Sequence, residues 1–347
     1  MHSTESIADT LARYREMVHG EMCRVFQARG ELDTFYGMMR YHLGWVDACF
    51  EPGVAPHGKG LRAALLMLLN HAFGGDDAMA APLAAGVELL HNFSLVHDDI
   101  EDGSTMRRHR PTAWNLWGVP PTINMGDGLY ALAHLALCDS PLRRVAPARF
   151  VDLICRFELA AVHLCEGQHL DMTYERAAAV SVEEYLRMIE RKTATLIAAA
   201  ASIGAQAAGA STRRTNAAEQ FGRSLGMAFQ IQDDILGIWG DEAVTGKSVV
   251  SDIASRKKTL PILLAMACAA PADRDRLLAL YSQANRTEQG TQAIMAILDR
   301  AGARELAGAY LHQAWDDGMG YLQEMDLSAE AHARLLALVR LFVDRTA

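Results

Sequence analysis

Asp98, Asp99 and Asp102 lie in LHNFSLVHDDIEDGSTMRRHRPTAW, the stretch from Leu90 to Trp114. Asp98 and Asp102 are four apart, so on a helix they share one face, with Asp99 beside them. Three carboxylates so close together repel unless a cation or a cationic ligand fills the space between them. Five residues past Asp102 comes Arg107-Arg108, a pair of forked donors suited to phosphate oxygens. Acid for a metal and base for a phosphate, a few residues apart, describe a metal–diphosphate site. The oxygen-rich cluster suits Mg²⁺, which takes a few carboxylates together with substrate phosphates and water. Paired aspartates also occur on ordinary solvated faces, and Asp76-Asp77 and Asp316-Asp317 serve as controls. Neither has an acidic residue four places after its first Asp, nor an arginine pair following. A second pair, Asp233-Asp234 in FQIQDDILGIWGD, also follows a largely apolar run. Two acidic helices can face each other across a bundle core, where metal sites are commonly built.

The elements that must position these groups read as helices throughout. Ile7, Leu11, Tyr14, Met17 and Val25 recur near helical period over residues 7 to 26. A second helix runs from about Leu32 to Phe50 and ends at Pro52-Gly53. Leu61 to Phe73 is apolar almost all round, as in a buried helix. After Gly74-Gly75, residues Ala80 to Asp102 form the long helix that delivers the first acidic motif. Pro111 and Pro120-Pro121 confine the connection to a helix over Ile123 to Cys138. Further helices are expected over 148–175, 182–209 and 214–239, then a polar loop from Gly240 to Ser255, a helix at Leu260 to Ala269 and three later stretches. There is no alternation long enough for a strand, no Asn-Gly hairpin signal and no solenoid repeat. The fold class is all-α, and with no linker or composition shift the chain is expected to form one domain over 1–347.

Composition narrows the function classes. The chain has 347 residues, is 50% hydrophobic and 22% charged, and carries a formal charge of −9. That is ordinary for a globular protein with a large core, and it argues against a nucleic-acid binder, which would show a basic stripe. The six cysteines have no CxxC or zinc-like spacing and read as buried thiols in a reducing, cytoplasmic setting. MHSTESIADTLARYREM carries Glu5 and Asp9 and has no apolar run, so it is not read as a signal peptide. The most membrane-like segment, Leu196 to Ala210, is shorter than the roughly 20 apolar residues of a span and reads as a packed core helix. No membrane span is expected.

The motifs, taken together, resemble those of the trans-isoprenyl diphosphate synthases, the polyprenyl synthetase family. The matching pieces run from about Gly58 to Pro261 in the family's order. They are GKGLR at Gly58–Arg62, HDDIEDGSTMRRHRPT at His97–Thr112, GQHLD at Gly167–Asp171, KTA at Lys192–Ala194, QDDILG at Gln232–Gly237, and GKSVVSD with KKTLP at Gly246–Pro261. The resemblance implies the isoprenoid synthase fold, a bundle of long helices around a deep central cavity, usually a homodimer. It implies an enzyme that ionises an allylic diphosphate with Mg²⁺, three ions in all, and joins the resulting cation to isopentenyl diphosphate. The substrate cavity must be dry, since water would quench that cation.

By the same resemblance, Asp98, Asp99 and Asp102 hold metal, Asp233 holds another ion, and Asp234 supports it. Arg107, Lys192, Lys247 and Lys257 direct their charges at the allylic diphosphate. Lys59, Arg62, His91 and Arg108 bind isopentenyl diphosphate. Thr193 and Gln230 stand near the developing cation, Gln168 near the metals, with Asp171 completing GQxxD. His97 reads as helix packing. Lys257 and Lys258 are not distinguished by physics, and spacing from Asp252 favours Lys257. The proton lost after coupling leaves to the released diphosphate, so no dedicated protein base is required.

Three departures stand out from the family pattern. Gly237 replaces the usual third aspartate of the second motif, with Asp241 two turns on as a substitute. Val250 stands where glycine is usual, and Glu101 and His109 replace an apolar residue and a glycine. Phe93, five before Asp98, can cap the growing chain, while Ser94 is small. That pattern resembles geranylgeranyl diphosphate synthases, with Leu90 and Met125 as deeper walls. A terpene cyclase on the same scaffold would have no use for Lys59, Arg62 and Arg108, and a non-catalytic modulating subunit would lose the first acidic motif and the arginine pair.

Overall fold

The computed structural model of the chain describes residues 6–27, 32–53, 58, 60–240, 253, 257–282 and 287–343. In chain order the helices are α1 (Ile7–Gln27), α2 (Asp33–His42), α3 (Leu61–Ala72), α4 (Asp77–Glu101), α5 (Ala113–Trp117), α6 (Val119–Asp139), α7 (Leu142–Val145), α8 (Pro147–Arg176), α9 (Val182–Ile189), α10 (Thr195–Ala207) and α11 (Thr212–Trp239). They continue as α12 (Leu260–Cys268), α13 (Pro271–Ser282), α14 (Glu288–Arg300), α15 (Ala303–Glu324) and α16 (Ala329–Val343). The all-α expectation stands. The chain divides into two compact units. The first comprises Met1–Val162, Leu196–Glu219 and Glu324–Leu338; the second comprises His163–Thr195, Gln220–Gln323 and Val339–Ala347.

In the first unit α4 packs against α1, α3 and α6. It starts earlier than its apolar period suggests because Asp76 caps it, accepting from the Ala78 amide at 2.9 Å. The control pair of the sequence reading therefore has a structural use. Gly86 lets α4 and α6 approach closely, since a Cβ there would lie 2.2 Å from Leu137 Cδ1. Gly204 does the same for α10 on α3, with its would-be Cβ 2.3 Å from the Leu66 carbonyl oxygen. Of the described helices, α4 has the length and composition to cross a membrane, and 67% of its most apolar window is buried within the fold. The segment singled out from sequence, now α10, is a buried helix.

The second unit centres on α12, which packs against α9, α13 and α14. Leu260 and Leu263 meet Tyr185, Met188, Ile231 and Ile235, while Ile262 joins Ile238, Leu277, Ile294 and Ile297. Each such side chain contributes about 1.5–3 kcal/mol through burial.

Three expectations are corrected. A short antiparallel hairpin exists, β1 (Met106–Arg107) paired with β2 (Arg110–Pro111). Its two-residue loop, Arg108-His109, has φ of 51° and 62°, the positive values of a type I′ turn, without the Asn-Gly that normally announces one. The helix expected over 182–209 contains a π-helical turn, Glu190–Ala194. None of the six cysteines is buried: Cys49, Cys155, Cys165 and Cys268 are exposed and Cys23 and Cys138 intermediate. An apolar neighbourhood in sequence does not fix which face of a helix a thiol occupies.

Candidate active site

The last turn of α4 carries the first acidic motif. Asp98 is half-buried and Asp102 exposed, one turn apart on one face of α4. Asp99 points elsewhere, only 3% exposed. Arg107 Nε lies 2.9 and 3.0 Å from its two oxygens, and a second guanidinium nitrogen lies 2.9 Å from Oδ1. Burial pushes the Asp99 carboxyl up, and the Arg107 hydrogen bonds and charge oppose this. Among the described residues no three His, Cys, Asp or Glu side chains converge as a preformed metal cage. The donor set still suits a hard cation. Asp98 and Asp102 present carboxylate oxygens at the C-terminal, negative end of a helix, where a positive charge is favoured.

The hairpin holds the arginines. Gly103, at φ 63°, turns the chain out of α4, and Thr112 and Trp114 both donate to the Ser104 carbonyl at 2.8 Å. Arg110 is a strut: it sits 3.9 Å over the Tyr41 ring and donates to the Tyr41 and Val46 carbonyls. Arg108 lies against Gly58, where a Cβ would come within 2.8 Å of its guanidinium. The first glycine of GKGLR therefore admits this arginine. Arg62, from the first turn of α3, donates to His91 Nε2 at 3.2 Å. Arginine cannot accept a hydrogen bond, so His91 Nε2 is the acceptor and the imidazole is neutral. Burial and then the Arg62, Arg108 and Arg107 charges push its pKa well below the ordinary histidine value.

Phe93 packs between His97 and Tyr130, with ring centroids 4.8 and 5.2 Å away. Tyr130 is itself held by Glu158 at 2.8 Å, and Glu158 also pairs with His134. Ser94 donates to the His91 carbonyl at 2.8 Å, and Leu90 and Met125 are fully buried. His97 has packing contacts, its ring against Gly126. Sequence reading missed Tyr130 and Glu158, whose spacing carries no signal of its own.

In the second unit Lys192 and Thr193 sit in the π-helical turn, which bulges a helix and often marks a functional position. Two glycines accommodate it. A Cβ on Gly167 would lie 2.2 Å from the Lys192 amide nitrogen, and one on Gly226 would lie 2.5 Å from Ala194 Cα. The glycine of GQHLD is thus a seat for the π-turn. From the same motif, Asp171 accepts from Lys192 Nζ at 2.5 Å, and Gln168 is buried.

Thr193 donates to Gln230 Oε1 at 2.8 Å, and Gln230 Nε2 donates to Asp234 Oδ1 at 3.1 Å. Asp234, 2% exposed, also accepts from Tyr185 OH at 2.5 Å and from the Leu260 amide at 3.2 Å. Asp233 is half-buried one position before it, and α11 continues as helix through Gly237. Lys258 is committed to capping α8, donating to the carbonyls of Tyr174, Glu175 and Ala177. Lys257 is exposed, so geometry separates two lysines that sequence does not. Lys59 and Lys247, with Asp241, Val250 and Asp252, lie outside the described residues.

Comparisons with known proteins give the family. The family model described as Polyprenyl synthetase matches residues 44–298. The chain belongs to the polyprenyl synthetase family. Its fold is the all-α isoprenoid synthase fold and its activity is that of a trans-prenyltransferase. It is similar to the (2E,6E)-farnesyl diphosphate synthase of Mycobacterium tuberculosis, 38% identical over 316 residues, covering 89% of this chain and 86% of the relative. It is 42% identical over 271 residues to the geranylgeranyl diphosphate synthase of the same organism, covering 78% and 76%. Among solved structures, the geranylgeranyl pyrophosphate synthase of Corynebacterium glutamicum, complexed with isoprenyl diphosphate and magnesium, matches with a TM-score of 0.82 at 26% identity over 98% of this chain and 100% of that one.

Proposed function

We propose that this prenyltransferase condenses isopentenyl diphosphate with an allylic diphosphate to give a short-chain all-trans prenyl diphosphate, geranylgeranyl diphosphate. The observation that carries this reading is the last turn of α4, where Asp98 and Asp102 share a face and the following hairpin presents Arg107 and Arg108. Magnesium, when bound, neutralises the charge that builds up as the bond between the allylic carbon and the diphosphate breaks. Asp98, Asp102 and Asp233 are its ligands, for three ions in all. Asp99 contributes by holding Arg107, which with Lys192, Lys247 and Lys257 clamps the departing diphosphate. Arg62, Arg108 and Lys59 receive isopentenyl diphosphate, with His91 fixing Arg62. Thr193 and Gln230 stand near the allylic cation, and Gln168 supports the metals. Asp234 positions Gln230. The released diphosphate takes the proton.

A single bulky residue at Phe93 beside the small Ser94 supports a product longer than farnesyl. Relatives of both product lengths match the chain, so product analysis must decide. The family match, 44–298, draws on both compact units, which supports one functional domain over 1–347. A homodimer is supported by one face of α8, where Val151, Leu159 and Val162 are 58%, 55% and 54% exposed. Such an apolar stripe suits a second copy of the same surface.

The test is a product assay with Mg²⁺ and isopentenyl diphosphate, offering dimethylallyl, geranyl or farnesyl diphosphate in turn. Geranylgeraniol after phosphatase treatment, formed only with isopentenyl diphosphate, is the expected result. A hydrocarbon formed from one allylic diphosphate alone would indicate a cyclase, and no product with any primer a modulating subunit. Asp98→Ala should abolish turnover; undiminished activity would remove the metal assignment.

A further inference from the structure

Arg62 and Arg108 come from different elements, the first turn of α3 and the tip of the hairpin, yet both are substantially desolvated. Burial is the largest influence on each and works against its charge. For Arg108 the neighbouring Arg107 adds repulsion. Two half-buried guanidinium groups need a counter-charge in the free enzyme, or repulsion drives them apart and out toward water. Glu88, one turn before His91 on α4, supplies it. It is the carboxylate whose field supports Arg62, and it supports Arg108 ahead of Asp99, which is already committed to Arg107.

We infer that Glu88 is a positioning residue for the second diphosphate, holding the Arg62 and Arg108 guanidinium groups in place before substrate arrives. This deepens the proposed function and rests on it. Among the described residues no direct ion pair joins Glu88 to either arginine, so it acts through the field of the half-buried interior. Asn92, only 3% exposed, fixes its direction. Asn92 Nδ2 donates to the Glu88 carbonyl at 2.8 Å and lies 3.5 Å from Glu88 Oε1. Glu88, Asn92 and Arg108 also line a cavity of about 310 Å³ beneath α1, with room for several waters at roughly 30 Å³ each. Burial pushes the Glu88 pKa up, and the Arg62 and Arg108 charges and the Asn92 hydrogen bond oppose this. A ligand role is excluded by sign, since a carboxylate repels a diphosphate. Its use must lie in what it does to the cations.

The test is steady-state kinetics of Glu88→Gln, titrating isopentenyl diphosphate at saturating allylic diphosphate and then the reverse. The KM for isopentenyl diphosphate should rise about tenfold, equivalent to about 1.4 kcal/mol, while the KM for the allylic diphosphate and the thermal midpoint stay put. Glu88→Asp, which keeps the charge, should fall between. An unchanged or lower KM for isopentenyl diphosphate in Glu88→Gln would overturn the inference, because removing a negative charge would then cost nothing or help. Equal increases in both KM values, or loss of the fold in both variants, would also overturn it in favour of a general structural role. Calorimetric titration of the wild-type protein with isopentenyl diphosphate separates this from the underlying reading. Wild-type protein that neither binds it nor elongates with it would sink the proposed function, whereas normal wild-type behaviour with an unaffected Glu88→Gln sinks only the role of Glu88.

Discussion

Asp233 and Asp234 are neighbours in one motif, and the structure predicts opposite consequences for removing their charges. Asp234 ties three helices together: Tyr185 of α9 at 2.5 Å, Gln230 one turn earlier on α11 at 3.1 Å, and the first amide of α12 at 3.2 Å. That amide is one of the donors a helix start leaves without an intrahelical partner. In Asp234→Asn the charge is lost and one acceptor oxygen becomes an NH₂ group, so the donor facing it must reorient or lose its partner. Hydrogen bonds to a charged group contribute roughly 1.5–3 kcal/mol, and an unsatisfied buried donor costs roughly 1–3 kcal/mol. A loss of about 3 kcal/mol is the expected outcome. The assay is urea unfolding followed by circular dichroism, with Asp233→Asn measured beside it. Asp233→Asn should lose turnover. The reasoning fails if Asp234→Asn unfolds like wild type while its turnover collapses and is restored by excess magnesium. That result would make Asp234 a metal ligand and not a tether.

Other positions offer sharper single readouts. His109 holds φ at 62°, a conformation that glycine adopts without penalty, so His109→Gly should stabilise the protein by roughly 0.5–1 kcal/mol; an unchanged or lower unfolding free energy would show the turn is relaxed as it stands. His42 is buried among Arg107, Arg108 and Arg110, and its pKa is lowered to about 3, chiefly by burial. The unfolded chain binds a proton below the ordinary value near 6.5 while the folded chain does not, so His42 costs stability as pH falls from 6.5 toward 3. Near pH 5 the cost is about 2 kcal/mol. His42→Gln should flatten that part of the stability–pH curve, and an identical acid slope would show that His42 is protonated in the fold. Phe93→Ala should lengthen the product, because it removes the ring packed against His97 and Tyr130 five residues before Asp98; an unchanged product distribution would remove Phe93 from the determination of length.

Residues that repeat with helical period, or whose chemistry is unusual in combination, were legible in the sequence. The run from Ala80 to Asp102 announced α4, and an acidic face followed by two arginines announced what its end is for. Features that depend on backbone conformation were not. Nothing in KTA signals a π-turn, because the turn is permitted by Gly167 and Gly226, which lie 25 residues before and 34 after Lys192 in the sequence. The hairpin was hidden because Arg108 and His109 occupy positions where Asn and Gly would have declared it. Yet His109 had already stood out as a departure from a usual glycine, and its positive φ gives that departure a physical meaning. Charge identity was equally silent. Lys257 and Lys258 are chemically equivalent until the fold gives Lys258 its partners. Lys258 spends its donors on the carbonyls of Tyr174 and Glu175 in the last turn of α8 and of Ala177 just past it, and Asp234 accepts from Tyr185, Gln230 and the Leu260 amide. Lys257, exposed, is the lysine proposed to meet substrate. Lys258, with its donors spent on the end of α8, has little bonding capacity left for a transition state, which leaves Lys257 to meet the diphosphate.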